Sequence, residues 1–396
     1  MADRRAVALP AVAAGLVAGL GLLAGATAPA DDPSAADLRA IYSQPPAAWP
    51  AATVDEGVEP RELGLLPELP EADEKLVGLG EMLFFDPRLS TTGQMACASC
   101  HDPDLGWADG RTTSFGFRRT QLPRNAPTIQ NSGHLHPLFW DGRAGSLEEL
   151  TLEVIEHPDE MRGTGTAVVE RLSAVPAYAE AFAEIPGEPG VTIEKVTSAV
   201  AAFCRSVNGG KSRFDAFLRG RETALTDAEL RGLHLYRTEA RCMNCHDGPE
   251  MSDGKLHVTG LSLSGTPRED LGAYAVTGRP EDSGAFRTPT LRNIAKTGPY
   301  MHHGLFESLP VTLRAYNGGM PTQRDRINDP ADPVPVKSPL LHELGLDDAQ
   351  LGDLEAFLRS TTEPHRLVLP PDLPPHADDA PPPAIPPDAE AGHARP

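Results

Sequence analysis

Two pentapeptides in this chain carry the same chemistry. Cys97-Ala98-Ser99-Cys100-His101 and Cys242-Met243-Asn244-Cys245-His246 both read Cys-x-x-Cys-His, the attachment signature of a c-type haem. In such a segment the two thiols add to porphyrin vinyl groups. The histidine that follows becomes an axial iron ligand, so five residues supply both tether and ligand. The chain has five cysteines, and these motifs use four. A redox dithiol or a four-cysteine zinc site would also use paired cysteines. Neither requires a histidine directly after each second cysteine. The sequence therefore points to two covalent haem c groups, with His101 and His246 as iron ligands.

The elements that must position these motifs can be read around them. Before the first motif, Leu76, Leu79, Met82 and Leu83 recur at helical spacing within 73–85. Gly, Pro and Thr dominate 91–128, which suits a long loop wrapped around a cofactor. Helical patterns resume at 146–155, 167–172, 177–185 and 196–207. The fifth cysteine, Cys204, lies in the last of these and reads as a buried free thiol. Thr226 and Glu229 form a capping box for a helix running through Tyr236 into the second motif. Residues 249–290 are rich in Gly and turn formers, and 309–316 and 347–360 read as closing helices.

A faint internal repeat joins the halves. Arg124-Asn125-Ala126-Pro127-Thr128 follows the first motif, and Arg287-Thr288-Pro289-Thr290 follows the second at a longer interval. Covalent haems replace much of a side-chain core, so mainly helical domains with long ordered loops are expected. An aromatic content of 5% agrees with this.

The ends have other compositions. Arg4 and Arg5 precede an apolar stretch at 6–25 and then Ala26-Thr27-Ala28, which reads as an export signal with a small-x-small cleavage site. No later segment is apolar for long enough to span a membrane. Export suits the haem motifs, because c-type haem is attached outside the bacterial cytoplasm, and a periplasmic location follows. The expected organisation is a signal peptide at 1–28, a Pro/Ala-rich linker or loosely held arm at 29–71, one haem domain at 72–210, a second at 211–363, and a Pro-rich disordered tail at 364–396. That tail holds 11 Pro in 33 residues. A formal net charge of −21 argues against nucleic acid as a partner.

Beyond the haem motifs, four segments in this order resemble the bacterial di-haem cytochrome c peroxidase family, which includes the MauG-type enzymes. They are LGEMLFFDPRL at 79–89, RNAPT at 124–128, FWDGRAGSLEE at 139–149 and TPTLRNIAKTGPYMHHG at 288–304. The resemblance spans roughly 72–363. It implies two cytochrome-c-like, mainly α-helical domains. The haem at His101 would meet hydrogen peroxide, and the haem at His246 would relay electrons.

The same resemblance implies roles for further residues. Glu148 matches the family's distal-pocket carboxylate, which moves a proton between the peroxide oxygens; Glu149 is its neighbouring rival. Leu138 stands where many members have Gln. Arg143 would meet a haem propionate or form a structural salt bridge. Many members carry a His in the loop before RNAPT that blocks the peroxide-binding iron. This chain has Phe117 there, so the first haem is expected to be open, unless His134 or His136 reaches back. Tyr316 matches the second axial ligand of the C-terminal haem, a Met in many members and a Tyr in MauG-type ones; Met301, Met320 and His302 are rivals. Asn125, Thr297 and Pro299 match a calcium site between the domains. Of Trp49, Trp107 and Trp140, none stands at the family's inter-haem Trp position, where Gln130 is nearest.

Three functions follow as expectations. The first is a peroxidase fed by a small cytochrome or copper protein. The second is a MauG-like enzyme that oxidises Trp or Tyr of a partner protein. The third is a plain di-haem electron carrier.

Overall fold

Each half of the chain is organised by one pair of crossed helices. The computed structural model describes residues 33–322 and 327–375. The expected export signal at 1–28 and the end of the Pro-rich tail lie outside the described residues. The helices are α1 (Ala35–Tyr42), α2 (Glu74–Phe85), α3 (Leu147–Glu156), α4 (Gly165–Ser173), α5 (Pro176–Ala183), α6 (Ile193–Ser206), α7 (Arg213–Leu218), α8 (Asp227–Arg237), α9 (Tyr274–Thr277), α10 (Leu309–Asn317) and α11 (Asp348–Ser360). Strands β1 (Leu256–Val258) and β2 (Ala285–Arg287) pair antiparallel, with His257 opposite Phe286. The fold is mainly α, as composition and motifs predict.

Local chemistry sets where the helices begin. Asp73, Ser146, Thr192 and Asp347 each cap a first turn with a side-chain oxygen. Thr226 and Glu229 make the expected reciprocal capping box on α8. The hairpin and α9 fall inside the Gly-rich stretch 249–290, where no periodic pattern predicts them.

In the first half α2 crosses α6, and in the second α8 crosses α11. Both crossings run over a glycine. A Cβ on Gly80 would stand 1.9 Å from the Ala199 carbonyl oxygen, and one on Gly232 would stand 2.0 Å from that of Asp353. Beside each glycine sits an aromatic pair: Phe84–Phe203 at 5.1 Å and Tyr236–Phe357 at 5.2 Å between ring centroids. Two separate apolar cores result, one built on α2, α3 and α6 and one on α1, α8 and α11.

The faint repeat extends far beyond the Pro-Thr dipeptides. Asn131 and Asn293 both adopt left-handed backbone and open 3-10 turns at Ser132–His134 and Ile294–Lys296. The cis prolines Pro137 and Pro299 follow, then left-handed Phe139 and Met301. Antiparallel bridges join Leu138 to Ala144 and Tyr300 to Phe306. Ser146 and Ser308 then stand at the N-caps of α3 and α10. Every pair is separated by 162 positions, so the two halves are duplicates over this stretch.

Two expectations need correction. The segment expected to be a linker or loose arm is fastened from residue 33 onward. Leu38, Tyr42, Trp49 and Leu63 are buried in the second core. Buried Arg237 lies over Tyr42 and Trp49, pairs with Glu62 and donates to the Pro50 carbonyl. Pro and acidic residues dominate the composition there, and the few apolar anchors are too irregularly spaced to show a pattern. The tail is likewise not free where it begins. Within 364–375, Val368 packs on the first core and Arg88 donates to the Pro374 carbonyl.

Candidate functional site

Each Cys-x-x-Cys-His motif begins as one tight turn, Cys97–Ser99 and Cys242–Asn244. His101 Nδ1 donates to the Trp107 carbonyl at 3.1 Å, and His246 Nδ1 donates to the Met251 carbonyl at 3.2 Å. Trp107 and Met251 both have left-handed backbone, which turns these carbonyls back onto the rings. Fixing the proton on Nδ1 leaves Nε2 as the lone-pair donor that iron needs. Burial disfavours the imidazolium at both positions and lowers the His246 pKa to about 4, so the rings are neutral at pH 7.

Burial also pushes the four thiols up, to about 12 at Cys97, Cys242 and Cys245 and about 11 at Cys100. A four-cysteine zinc site does not form, because the two cysteine pairs lie against separate cores. The geometry fits haem c at both motifs.

Around His101 is a cavity of about 920 Å³ lined by Cys97, Cys100, Leu147, Leu150, Thr151 and Val154 among others, within the range of cofactor pockets. By the 162-residue duplication, Val154 on α3 is the counterpart of Tyr316 on α10. Tyr316 is half-buried near Cys242 and Cys245, and desolvation raises the pKa of its phenol. One half thus presents an inert isopropyl group where the other presents a phenol. His302, a rival for that position, instead lines the first cavity, stacked on Phe286 at 3.5 Å. Met301 matches Phe139 by the duplication, and Met320 is buried just beyond α10.

Phe117 is buried, with Arg162 and Arg118 at 4.8 and 5.4 Å from its ring, and its amide donates to the Asp159 carbonyl. Neither it nor His134 nor His136 is among the residues lining the cavity. His134 instead meets Asn208 at 3.0 Å. His157, a wall residue that sequence reasoning missed, has Nδ1 occupied by the Asp159 amide at 3.2 Å.

Glu148 sits in the first turn of α3. Its carboxylate is absent from the lining residues and accepts two hydrogen bonds from Arg205 on α6, at 2.7 and 2.8 Å. Those bonds hold its pKa below the usual carboxylate value. Glu149 caps the helix start by accepting from the Gly145 amide. Leu138 lines the cavity, and Arg143 pairs with Asp141 and Glu153.

Asn125 and the segment holding Thr297 and Pro299 come from opposite halves and meet. The Asn125 amide donates to the His302 carbonyl at 2.7 Å, and its Nδ2 donates to the Arg111 carbonyl. A Cβ on Gly106 would lie 3.4 Å from Thr297 Cγ2. Gln130 and Trp107 share a crevice between the halves with Lys296. Trp140 donates to the Asn125 carbonyl, and Trp49 is a core residue.

Sequence reasoning missed the carbonyls of Trp107 and Met251, the cavity residue Arg287 and the pair Asp253–His257 beside Cys245. The parallel Asp-Gly-Arg and Asp-Gly-Lys after the two motifs, at 109–111 and 253–255, was the available signal for part of this.

Comparison with known proteins supports the geometry. The family model described as di-haem cytochrome c peroxidase matches residues 74–223. The methylamine utilization protein MauG of Methylorubrum extorquens is 37% identical over 298 residues, which are 74% of this chain and 80% of that protein. The cytochrome c551 peroxidase of Nitrosomonas europaea is 40% identical over 227 residues, 57% of this chain and 68% of that protein. Among solved structures, a MauG-like protein associated with microbial copper homeostasis aligns with TM-score 0.65 at 34% identity, covering 78% of this chain and 95% of that one. The diheme peroxidase BthA of Burkholderia thailandensis aligns with TM-score 0.64 at 26% identity, covering 82% and 96%. With its paired haem-attachment motifs and duplicated halves, this chain belongs to the di-haem cytochrome c peroxidase and MauG family, and is an oxidoreductase with peroxide as acceptor.

Proposed function

We propose that this chain is an exported, periplasmic peroxidase in which hydrogen peroxide is reduced at the haem site of His101, with electrons relayed through the haem site of His246 from a small cytochrome or copper protein. The observation that carries this reading is the pairing of Val154 with Tyr316. A valine cannot ligate iron, so a haem at the first site would keep a position for peroxide, while Tyr316 would be placed to close the second, as suits electron transfer.

When bound, the haems supply the redox chemistry. The chain's own residues do the rest. His101 and His246 hold their rings neutral and oriented through the Trp107 and Met251 carbonyls. Glu148 sits in the first turn of α3, whose Leu147, Leu150, Thr151 and Val154 line the cavity. Its pairing with Arg205 keeps it ionised, the state in which it can accept a proton from peroxide. Asn125, Thr297 and Pro299 would hold a calcium ion that ties the halves together. Chelation should then lower the thermal midpoint, and added Ca²⁺ should restore it.

A second reading, a MauG-like enzyme that oxidises Trp or Tyr of a partner protein, is favoured by Tyr316. A phenolic ligand supports higher iron oxidation states than a thioether does. Steady-state oxidation of a reduced small cytochrome or copper protein by peroxide separates the two. Turnover supports the peroxidase. Fast peroxide consumption without donor turnover supports the second reading, and no reaction with peroxide supports a plain electron carrier.

A further inference from the structure

The first cavity takes part of its wall from the second half of the chain, and two of those residues have unfinished electrostatics. Arg124 in the same cavity is paired with Asp141 and Asp270, and Arg143 with Asp141 and Glu153. Arg268 is exposed. Arg287 is different. It is 5% exposed, its Nε donates to the Phe139 carbonyl and its Nη1 to the Thr288 carbonyl, both at 3.1 Å. Among the described residues no carboxylate pairs with it, and burial alone acts on its pKa, pushing it down to about 10. Carbonyl dipoles satisfy N–H groups but do not cancel a buried charge.

Nearby in the same wall, His303 is 6% exposed. Its Nδ1 accepts from the Leu305 amide at 3.2 Å, which places the ring proton on Nε2. That buried Nε2 completes no hydrogen bond, although the Leu261 carbonyl acts weakly on the ring. A cation with no paired anion among the described residues and a donor whose hydrogen bond is incomplete thus face one cavity. A haem tethered through its vinyl edge at Cys97 and Cys100 brings two carboxylates, the propionates, on its opposite edge.

We propose that Arg287 and His303, both from the C-terminal half, hold a propionate of the haem attached beside His101. The inference rests on the reading of haem at that motif. It makes the C-terminal half a working part of the first haem's site. It also makes the two haems unequal, because the counterparts of Arg287 and His303 by duplication are Asn125 and Asp141. A cation on a propionate offsets negative charge that favours ferric iron, so it raises the potential of the first haem alone.

The test uses the full holo-protein and the variants Arg287→Gln, Arg287→Lys and His303→Gln. Resonance Raman propionate bands and the midpoint potential of each haem are measured. The expected result is a shifted propionate band and a lower potential for the haem at His101 in Arg287→Gln, partial restoration in Arg287→Lys, and no change at the second haem. His303→Gln carries the same readings should Arg287→Gln fail to fold. Unmoved bands and potentials in folded variants with two haems per chain overturn this proposal alone. A pyridine haemochrome assay showing no haem at the first motif overturns it together with the reading beneath it.

Discussion

Val154 and Tyr316 occupy the same position in two copies of one structural unit, each on the helix that follows a cis proline, a left-handed residue and a serine cap. The valine lines the cavity of His101, and the tyrosine is half-buried near Cys242 and Cys245. The proposed asymmetry of the two haem sites would thus trace to one helical position. Placing a ligand there should close the first site. Val154→His is expected to turn the first haem low-spin and to abolish its fast reaction with peroxide, read by electronic absorption and stopped-flow mixing, while the second haem keeps its spectrum.

Glu148 and Arg205 form a half-exposed ion pair whose hydrogen bonds lower the Glu148 pKa. Glu148→Gln removes the proton acceptor and should slow the reaction with peroxide by about 10²–10⁴-fold. Arg205→Leu should raise the Glu148 pKa, moving the acid limb of the pH–rate profile to higher pH. The sign for stability follows from the same depression. The pair's contribution is present above the unfolded carboxylate pKa and is lost as pH falls through the lower folded value. Being half-exposed, the pair should contribute little to stability. An unchanged pH profile in Arg205→Leu would detach Glu148 from the chemistry.

The helix crossings make a purely structural prediction. Alanine at Gly80 or Gly232 would place a methyl within about 2 Å of a backbone carbonyl oxygen. Helix propensity favours alanine by only about 1 kcal/mol. Forced separation of the helices costs about 1–3 kcal/mol or more and dominates. Both variants should show lower thermal midpoints by circular dichroism.

Arg292 and Asp215 are 2.8 Å apart and almost wholly buried. Arg292 also donates to the Pro249 and Gly64 carbonyls, linking the arm to the second core. Asp215→Ala strands the guanidinium and should cost about 3–5 kcal/mol, measured by chemical denaturation. A loss under about 1 kcal/mol would mean that the carbonyls alone hold Arg292.

Much of this was legible in the sequence because it depends on local chemistry. The haem motifs, the capping box at Thr226 and Glu229, and the helices around Leu83 and Leu309 are each written within a few residues. The duplication stood out only at Pro127-Thr128 and Pro289-Thr290, because its further identities, Asn131 with Asn293, Pro137 with Pro299 and Ser146 with Ser308, are single residues scattered through loops, and positions such as Phe139 and Met301 share a backbone state but not a side chain. The arm was misread because four apolar anchors scattered through Pro-rich sequence show no period. The partners of Glu148 and Arg287 lie far along the chain, so pattern alone could not show that one carboxylate is taken by Arg205 and one guanidinium is left without an anion.

The measurement that bears most directly on the open first site and closed second site is low-temperature EPR of the ferric holo-protein before and after stoichiometric peroxide. One high-spin and one low-spin signal, both lost at once on adding peroxide, is the predicted result. Two low-spin haems that ignore peroxide until half-reduced would contradict it, by placing a sixth ligand on the iron at His101.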